Sequence, residues 1–450
     1  MPPLNREERV PVAIFATVFL GEFAYRYAKK GVLLLRQPLL WPTILFFIPK
    51  INLIGFRNET AGIRLDDSIL FVVAALLLID CIARLDFTID PFPLTGFAVV
   101  GIFCLSNLVN SGPLSARHAS LLYSLRLAEY MIFFWVGKYL VRSGYDFDFM
   151  VKTLVGLNCA IIILQFAGVV GGFTAQGYES SVARPFGITA NHPAEMGALF
   201  NLLFAAVVFG TKPTRFWFWS FLIGACILIT ESRSALLAHI VLTLIYAYRH
   251  SKSKIGFSLK AGVVAGLLVA VFAALPGDNE RSANLFSRQN LEAFQVLYDN
   301  IPVDRQFADV SDGGAPEDSP EGVDVSWYMR GFKWAEVVKT MLAESWPVWI
   351  LGFGPGAIGI GLDGGWLRLV IETGIAGTIA FLVLLRKIAS LSAACSMAVL
   401  ALGVNMVMID AQIGYKIMAF LFFLVGVEVQ RKVQQAPAPG SFADPKLRPA

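Results

Sequence analysis

Apolar runs about twenty residues long recur along almost the whole chain, and no other feature narrows its fold so far. An α-helix rises about 1.5 Å per residue, so such a run crosses the ~30 Å hydrocarbon layer of a bilayer with every backbone N–H and C=O paired internally. Runs of this kind fall at 33–50, 68–84, 94–110, 120–141, 150–172, 193–210, 214–231, 232–248, 258–275, 365–385, 390–408 and 411–428. They predict an all-α, polytopic membrane protein of about twelve transmembrane helices. A further apolar stretch at 11–25, broken by Glu22 and followed by Arg26, Lys29 and Lys30, is either an extra span or a helix lying in the interface.

Composition closes off the other classes. Of 450 residues, 56% are hydrophobic and only 16% charged, against about 25% charged in an average soluble domain. That is too little polar surface to clothe several soluble domains. A transmembrane β-barrel would alternate polar and apolar residues over segments of about ten. The formal charge is +4, and the basic residues sit in short clusters between apolar runs, a topology signal that excludes a nucleic-acid-binding surface. Cys81, Cys104, Cys159, Cys226 and Cys395 all lie in apolar runs without a CxxC, so neither a disulfide framework nor a metal site is expected. No small-residue cleavage site follows the first apolar stretch, and the first spans are expected to direct insertion.

Lys and Arg in short loops orient the chain. Arg26, Lys29, Lys30 and Arg36 cluster at the start of the first span. Arg249, Lys252, Lys254 and Lys260 occupy one loop, and Lys212 with Arg215, Arg386 with Lys387, and Arg431 with Lys432 form pairs. Alternating spans bring all of these to one side, the cytoplasm. The other side receives 51–67, 111–119, 173–192 and a long segment, 276–345, with 13 acidic and 6 basic residues, a net charge of −7. Within that segment Leu291, Phe294 and Tyr298 stand at helical spacing, and 309–322 is a turn-rich linker. A second helix is expected over 326–344, with Asp324 or Ser326 as its cap. The chain thus divides into an N-terminal segment 1–32, a bundle 33–275, an external loop 276–345, a second bundle 346–433, and a Pro- and Ala-rich tail 434–450 expected to be disordered.

Ionisable groups near or inside spans carry the functional information in such a chain. Three clusters stand out, all at external ends. Arg184-Pro185-Phe186-Gly187 leads through Asn191, His192 and Pro193 into a span. Pro193 suits a first helical turn and Asn191 an N-cap, so the free N–H groups there favour an anion. The plainer alternative has Arg184 reaching to lipid headgroups. The second cluster is Glu231-Ser232-Arg233-Ser234, where Arg233 either pairs with Glu231 or faces an anionic ligand. Two guanidinium forks from separate turns match a diphosphate. The third runs from Gly352-Phe353-Gly354-Pro355-Gly356 through Asp363, Trp366 and Glu372-Thr373-Gly374. Its glycines preclude a lipid-facing helix and predict a cavity lining, with Asp363 either a helix cap or a working carboxylate. His239, within a span, reads as a packing residue, and Asp410 and Gln412 as capping residues at a tight turn.

In this order and topology the three clusters resemble the O-antigen polymerase/ligase superfamily, which holds Wzy-type polymerases, WaaL-type ligases and ExoQ-like relatives. The resemblance covers roughly 150–385. It rests on Arg184 through Gly197, on Ser232-Arg233-Ser234, and on a long loop ending in a helix that carries Arg330. A Gly-x-Gly stretch and a polar residue nine positions before a Glu-x-Gly complete it. Ligases of the family carry His where this chain has Asp363, which turns the resemblance toward a polymerase. Ala194-Glu195 also stand where an Asn is common.

The resemblance implies a GT-C-like membrane glycosyltransferase in a bacterial inner membrane, with its site facing the periplasm. It polymerises undecaprenyl-diphosphate-linked repeat units into surface or exopolysaccharide, without metal or cofactor and with inversion. Its implied partners are the lipid-linked glycan donor, a glycan acceptor and membrane lipids, with a chain-length regulator and a flippase alongside. It implies Arg184 and Arg233 on the diphosphate, Arg330 as a third cation closing from the loop, and Asp363 as base. Glu372 and Asp324 stand in reserve, and His192 and Trp366 line the substrate site. Two other readings stay open: a ligase moving finished glycan onto lipid A-core, and a lipid-linked oligosaccharide flippase.

Overall fold

A computed structural model describes residues 46, 52–56, 61–84, 90–110, 114–144, 146–174, 177–210, 215–250, 325–358 and 361–435, with scattered positions in 256–266 and 292–299. The expected stretches at 11–25, 33–50 (Phe46 apart) and 309–322, and most of 258–275, lie outside the described residues, as do Asp324 and 436–450.

The chain is helical, with two short hairpins. The helices are α1 (Leu65–Arg84), α2 (Pro91–Val109), α3 (Leu114–Arg142), α4 (Phe147–Phe166), α5 (Pro193–Phe209), α6 (Phe216–Ile229) and α7 (Arg233–His250). They continue with α8 (Val325–Ala343), α9 (Trp346–Leu351), α10 (Gly365–Ala389), α11 (Ala393–Asn405) and α12 (Tyr415–Gln435). Strands β1 (Asn52–Phe56) and β2 (Ala61–Arg64) pair antiparallel, as do β3 (Gly172–Thr174) and β4 (Gly177–Glu179), in stretches read from sequence as plain loops. Phe173 opposite Tyr178, with ring centroids 5.2 Å apart, closes the second hairpin.

Most expected spans become helices, but not all are full-length. Among the described residues α2, α4 and α10 are both long and apolar enough to cross a membrane. Helices α5, α6 and α11 are apolar but only 17, 14 and 13 residues long. At about 1.5 Å per residue these are roughly 20–26 Å, short of a ~30 Å core. The shortening has local causes. Pro193 starts α5 where expected and Gly210 ends it, Arg215 in a left-handed conformation precedes α6, and the Thr230–Ser232 turn ends α6. Other bounds move as well. Helix α4 stops at Phe166, before the hairpin, and α12 runs on to Gln435, past the expected start of the tail. Ser326 lies inside α8 instead of capping it.

Burial identifies the central helices. Every residue of α12 from Tyr415 to Val427 is buried, and nearly all of α5. A helix apolar all round belongs inside a bundle. Helix α12 lies along α3 and α5, α11 against α5, α7 and α10, and α10 against α2. Phe133, Phe134, Phe420 and Phe423 fill the α3–α12 seam.

The bundle has two chemically different ends. At one, Arg431 of α12 reaches Asp148 at 3.2 Å and Glu428 at 3.0 Å. There too Lys138 of α3 pairs with Asp90 at 2.6 Å and Lys387 of α10 donates to Thr95 at 2.5 Å. The other end gathers the starts of α5, α7 and α10. The start of α5 packs on that of α7 through Gly197 against Ser232 and Ala235. Gly210, at its far end, faces Ala394 at the start of α11, so α5 and α11 run antiparallel. The last turn of α11 then meets α10, where Trp366 N–H donates to Met406 O at 3.0 Å. All three sequence clusters therefore share the end opposite Arg431 and Lys387.

Candidate functional site

Two polar side chains of α4 shape the Arg184 segment. Asn158 Oδ1 accepts from Ile188 N and Thr189 N, both at 3.1 Å, and its Nδ2 donates to Thr189 Oγ1 at 2.7 Å. Gln165 Oε1 accepts from Phe186 N at 3.0 Å and Gly187 N at 2.9 Å, while its Nε2 donates to Gly171 O and Gly187 O. An irregular backbone buried among helices has few other ways to satisfy its polar groups. Gly187 sits at φ +74°, and a Cβ there would meet Asn158 Oδ1 at 2.6 Å.

So held, Arg184 reaches across to the turn between α6 and α7. Its Nη2 donates to Thr230 O and Glu231 O, each at 2.9 Å, and its Nε lies 3.3 Å from Glu231 Oε2. Glu231 is left-handed at φ +55°, a rare state for this residue type. The local Glu231–Arg233 pairing weighed from sequence is not what forms, because Arg184 occupies Glu231. Arg233, the first residue of α7, is exposed and has no side-chain partner among the described residues. Beside it Ser232 Oγ is buried without a hydrogen-bond partner among the described residues. His192, not Asn191, caps α5, its Nδ1 accepting from Ala194 N at 3.3 Å.

The glycine segment and Asp363 form a second centre. Helix α10 breaks at Gly374, which has φ +63°. In the turn before that break, Ile371 O accepts from Phe353 N at 2.9 Å and Glu372 O from Gly354 N at 2.8 Å. Helix α2 grips the same segment: Ser106 Oγ donates to Leu351 O and Glu372 O, and Asn110 Nδ2 donates to Gly352 O.

Asp363 has φ +55° and is not the helix cap. Its Oδ2 lies 3.2 Å from Arg330 Nε of α8, and its side chain is 43% exposed. Two further side chains of α8 hold this turn: Lys333 Nζ donates to Gly361 O at 2.9 Å and Trp334 Nε1 to Leu362 O at 3.0 Å. From the other side Asp410 accepts from Leu362 N at 3.1 Å and Gly364 N at 3.2 Å. The side chain of Asp410 therefore does not cap its own turn, the role expected from sequence, but accepts from a turn far away in the chain.

Asp410 is anchored by Arg368, which the sequence reading passed over. Arg368 is wholly buried. Its Nη1 meets Asp410 Oδ2 at 2.8 Å and its Nε meets Glu372 Oε1 at 3.1 Å. Glu372 Oε1 also accepts from Gly356 N at 3.1 Å. One guanidinium thus ties the glycine segment to the Asp363 turn. The arrangement makes Glu372 a structural anchor, and Trp366 likewise spends its indole N–H on Gly403 O at 2.8 Å. The only sequence hint of Arg368 was a charge in an apolar run four residues before a carboxylate.

No family model matches the chain. No curated protein matches it in sequence. The bonds above join Arg184 to Glu231 and Arg330 to Asp363, and none of them joins the two turns. What this end of the bundle offers chemically is the exposed guanidinium of Arg233, Arg184 bonded to the turn just before it, and the partly exposed carboxylate of Asp363.

Proposed function

We propose that the chain is a polytopic, GT-C-like glycosyltransferase of a bacterial inner membrane that polymerises undecaprenyl-diphosphate-linked oligosaccharides at the periplasmic face. The observation that carries this reading is the meeting of Arg184 with the turn that starts α7 at Arg233. Arg184 bonds to the carbonyls of Thr230 and Glu231, 46 and 47 residues away, at the turn that leads into Arg233, and two guanidinium forks suit a diphosphate.

Membrane residence is supported by the outward faces. Phe71 is 75% exposed, Leu108 65%, Ile379 56% and Phe218 54%, far more apolar surface than a soluble monomer leaves to water. Segregation of Lys387 and Arg431 to the end opposite the candidate site agrees with a cytoplasmic basic end. It also disfavours a flippase, whose charged groups should line a path to both leaflets.

In the proposed reaction an acceptor sugar hydroxyl attacks the anomeric carbon of the donor. A new C–O bond forms as the bond from that carbon to the diphosphate oxygen breaks, with inversion. The lipid diphosphate leaves carrying the electron pair. Arg233, with Arg184 alongside, stabilises that charge, an effect worth about 3 kcal/mol per well-placed donor. Asp363 takes the hydroxyl proton. Arg330 orients its carboxylate through Oδ2, while Oδ1 has no hydrogen bond among the described residues and is available to the proton. Asp363 in place of a His favours polymerase over ligase.

Glycan analysis in a deletion strain tests the reading. Single repeat units on undecaprenyl diphosphate are expected. Long chains stranded on that lipid would make the protein a ligase, and units facing the cytoplasm a flippase.

A further inference from the structure

Helix α9 is Trp346-Pro347-Val348-Trp349-Ile350-Leu351, an apolar run of six residues of which none is buried. Trp346 is 73% exposed, and Ile350 is exposed too, as is Leu342 in the last turn of α8. Val348 and Trp349 pack against the cluster that holds Val337, Met341 and Ile358, so the helix spends only part of its surface on the protein. A lone exposed apolar residue needs no explanation, but an apolar helix face does.

That face runs into the outer surface of two candidate spans. Ile350 O stands against Gly374 of α10, and the next residue, Ile375, is exposed. Leu351 O accepts from Ser106 Oγ of α2, whose neighbours Leu105 and Leu108 are exposed. Both α2 and α10 are long and apolar enough to cross a membrane. Asn110, the C-cap of α2, donates to Gly352 O, so α9 lies level with the point where α2 ends. An indole joins an apolar body to an N–H donor, and tryptophan gathers where hydrocarbon meets headgroups.

We propose that α9, with Leu342, is an interfacial anchor whose exposed face lies at the boundary of acyl chains and headgroups, on the leaflet beside the candidate site. The inference rests on membrane residence and adds to it: α9 holds the glycine segment that follows it at the depth of that boundary.

The test is tryptophan fluorescence of the full chain in nanodiscs of plain phosphatidylcholine, or of phosphatidylcholine brominated either near the headgroup or near the chain end. The emission lost in Trp346→Phe is the contribution of Trp346. It should be quenched about twofold or more by the shallow bromines, less by the deep ones, and little by aqueous iodide. Ile350→Trp adds an indole to the same face, and the emission it gains should be quenched in the same order, so the result does not hang on one variant. Quenching by iodide but by neither lipid would put the face in water, and quenching by none of the three would put it against another protein; either overturns the proposal. Stronger quenching by the deep bromines would overturn the interfacial depth. Trp135 of α3 and Trp217 of α6, both exposed, separate this outcome from the membrane reading. If the emission lost in Trp135→Phe and Trp217→Phe is quenched by brominated lipid and that of Trp346 is not, the anchor alone fails. If lipid quenches none of them, membrane residence fails too.

Discussion

Arg368 and Asp410 meet at 2.8 Å although 42 residues separate them, and the pair decides where Asp363 stands. Arg368 is wholly buried and also holds Glu372, so two carboxylates depend on one guanidinium. Asp410 fixes the backbone on either side of Asp363, and Glu372 fixes Gly356.

Arg368→Met should therefore destabilise strongly. Removing one partner of a buried ion pair leaves uncompensated charge and costs about 3–5 kcal/mol. Thermal unfolding of the purified protein should show a large fall in midpoint. A midpoint close to wild type would mean that the network is not carrying the turn.

Asp363→Asn should behave differently. The Arg330–Asp363 pair is partly exposed, and such pairs contribute about 0–1 kcal/mol. Stability should hardly change, whereas glycan transfer should fall by about 10²-fold or more with donor binding retained. Unchanged turnover would remove Asp363 as base.

Gly187→Ala should lose stability through two effects. Its φ of +74° costs a residue with a Cβ about 1–2 kcal/mol, and the new methyl would press on Asn158 Oδ1. Gly101→Ala is the control. Nothing lies within 4 Å of a Cβ there, and α2 should gain up to about 1 kcal/mol in helix propensity. Opposite shifts in unfolding midpoint are expected.

The legible and illegible parts of this molecule divide along chain distance. Apolar runs place α2, α7 and α10 within a few residues of where they form, because burying a helix is a local property of composition. The glycine segment was legible as irregular backbone for the same reason. The partners of its polar groups were not. Asn158 and Gln165 are two polar residues in an apolar run that sequence reading did not single out, yet they hold the Arg184 segment from 21 to 31 residues away. Glu231 stands two residues from Arg233 but bonds to Arg184, because a left-handed turn aims it elsewhere. Arg368 was masked by its neighbours, and its meaning appears only when Asp410 is brought across from the turn after α11.

Arg233 gives the most direct test of the central claim. It has no side-chain partner among the described residues, so Arg233→Gln should fold like the wild type. The measurement is extension of undecaprenyl-diphosphate-linked oligosaccharide by the purified protein in lipid nanodiscs, with the unfolding midpoint taken alongside. The proposed diphosphate site predicts an unchanged midpoint and polymer formation slower by about 10²–10³-fold. Polymer made by Arg233→Gln at the wild-type rate would contradict it.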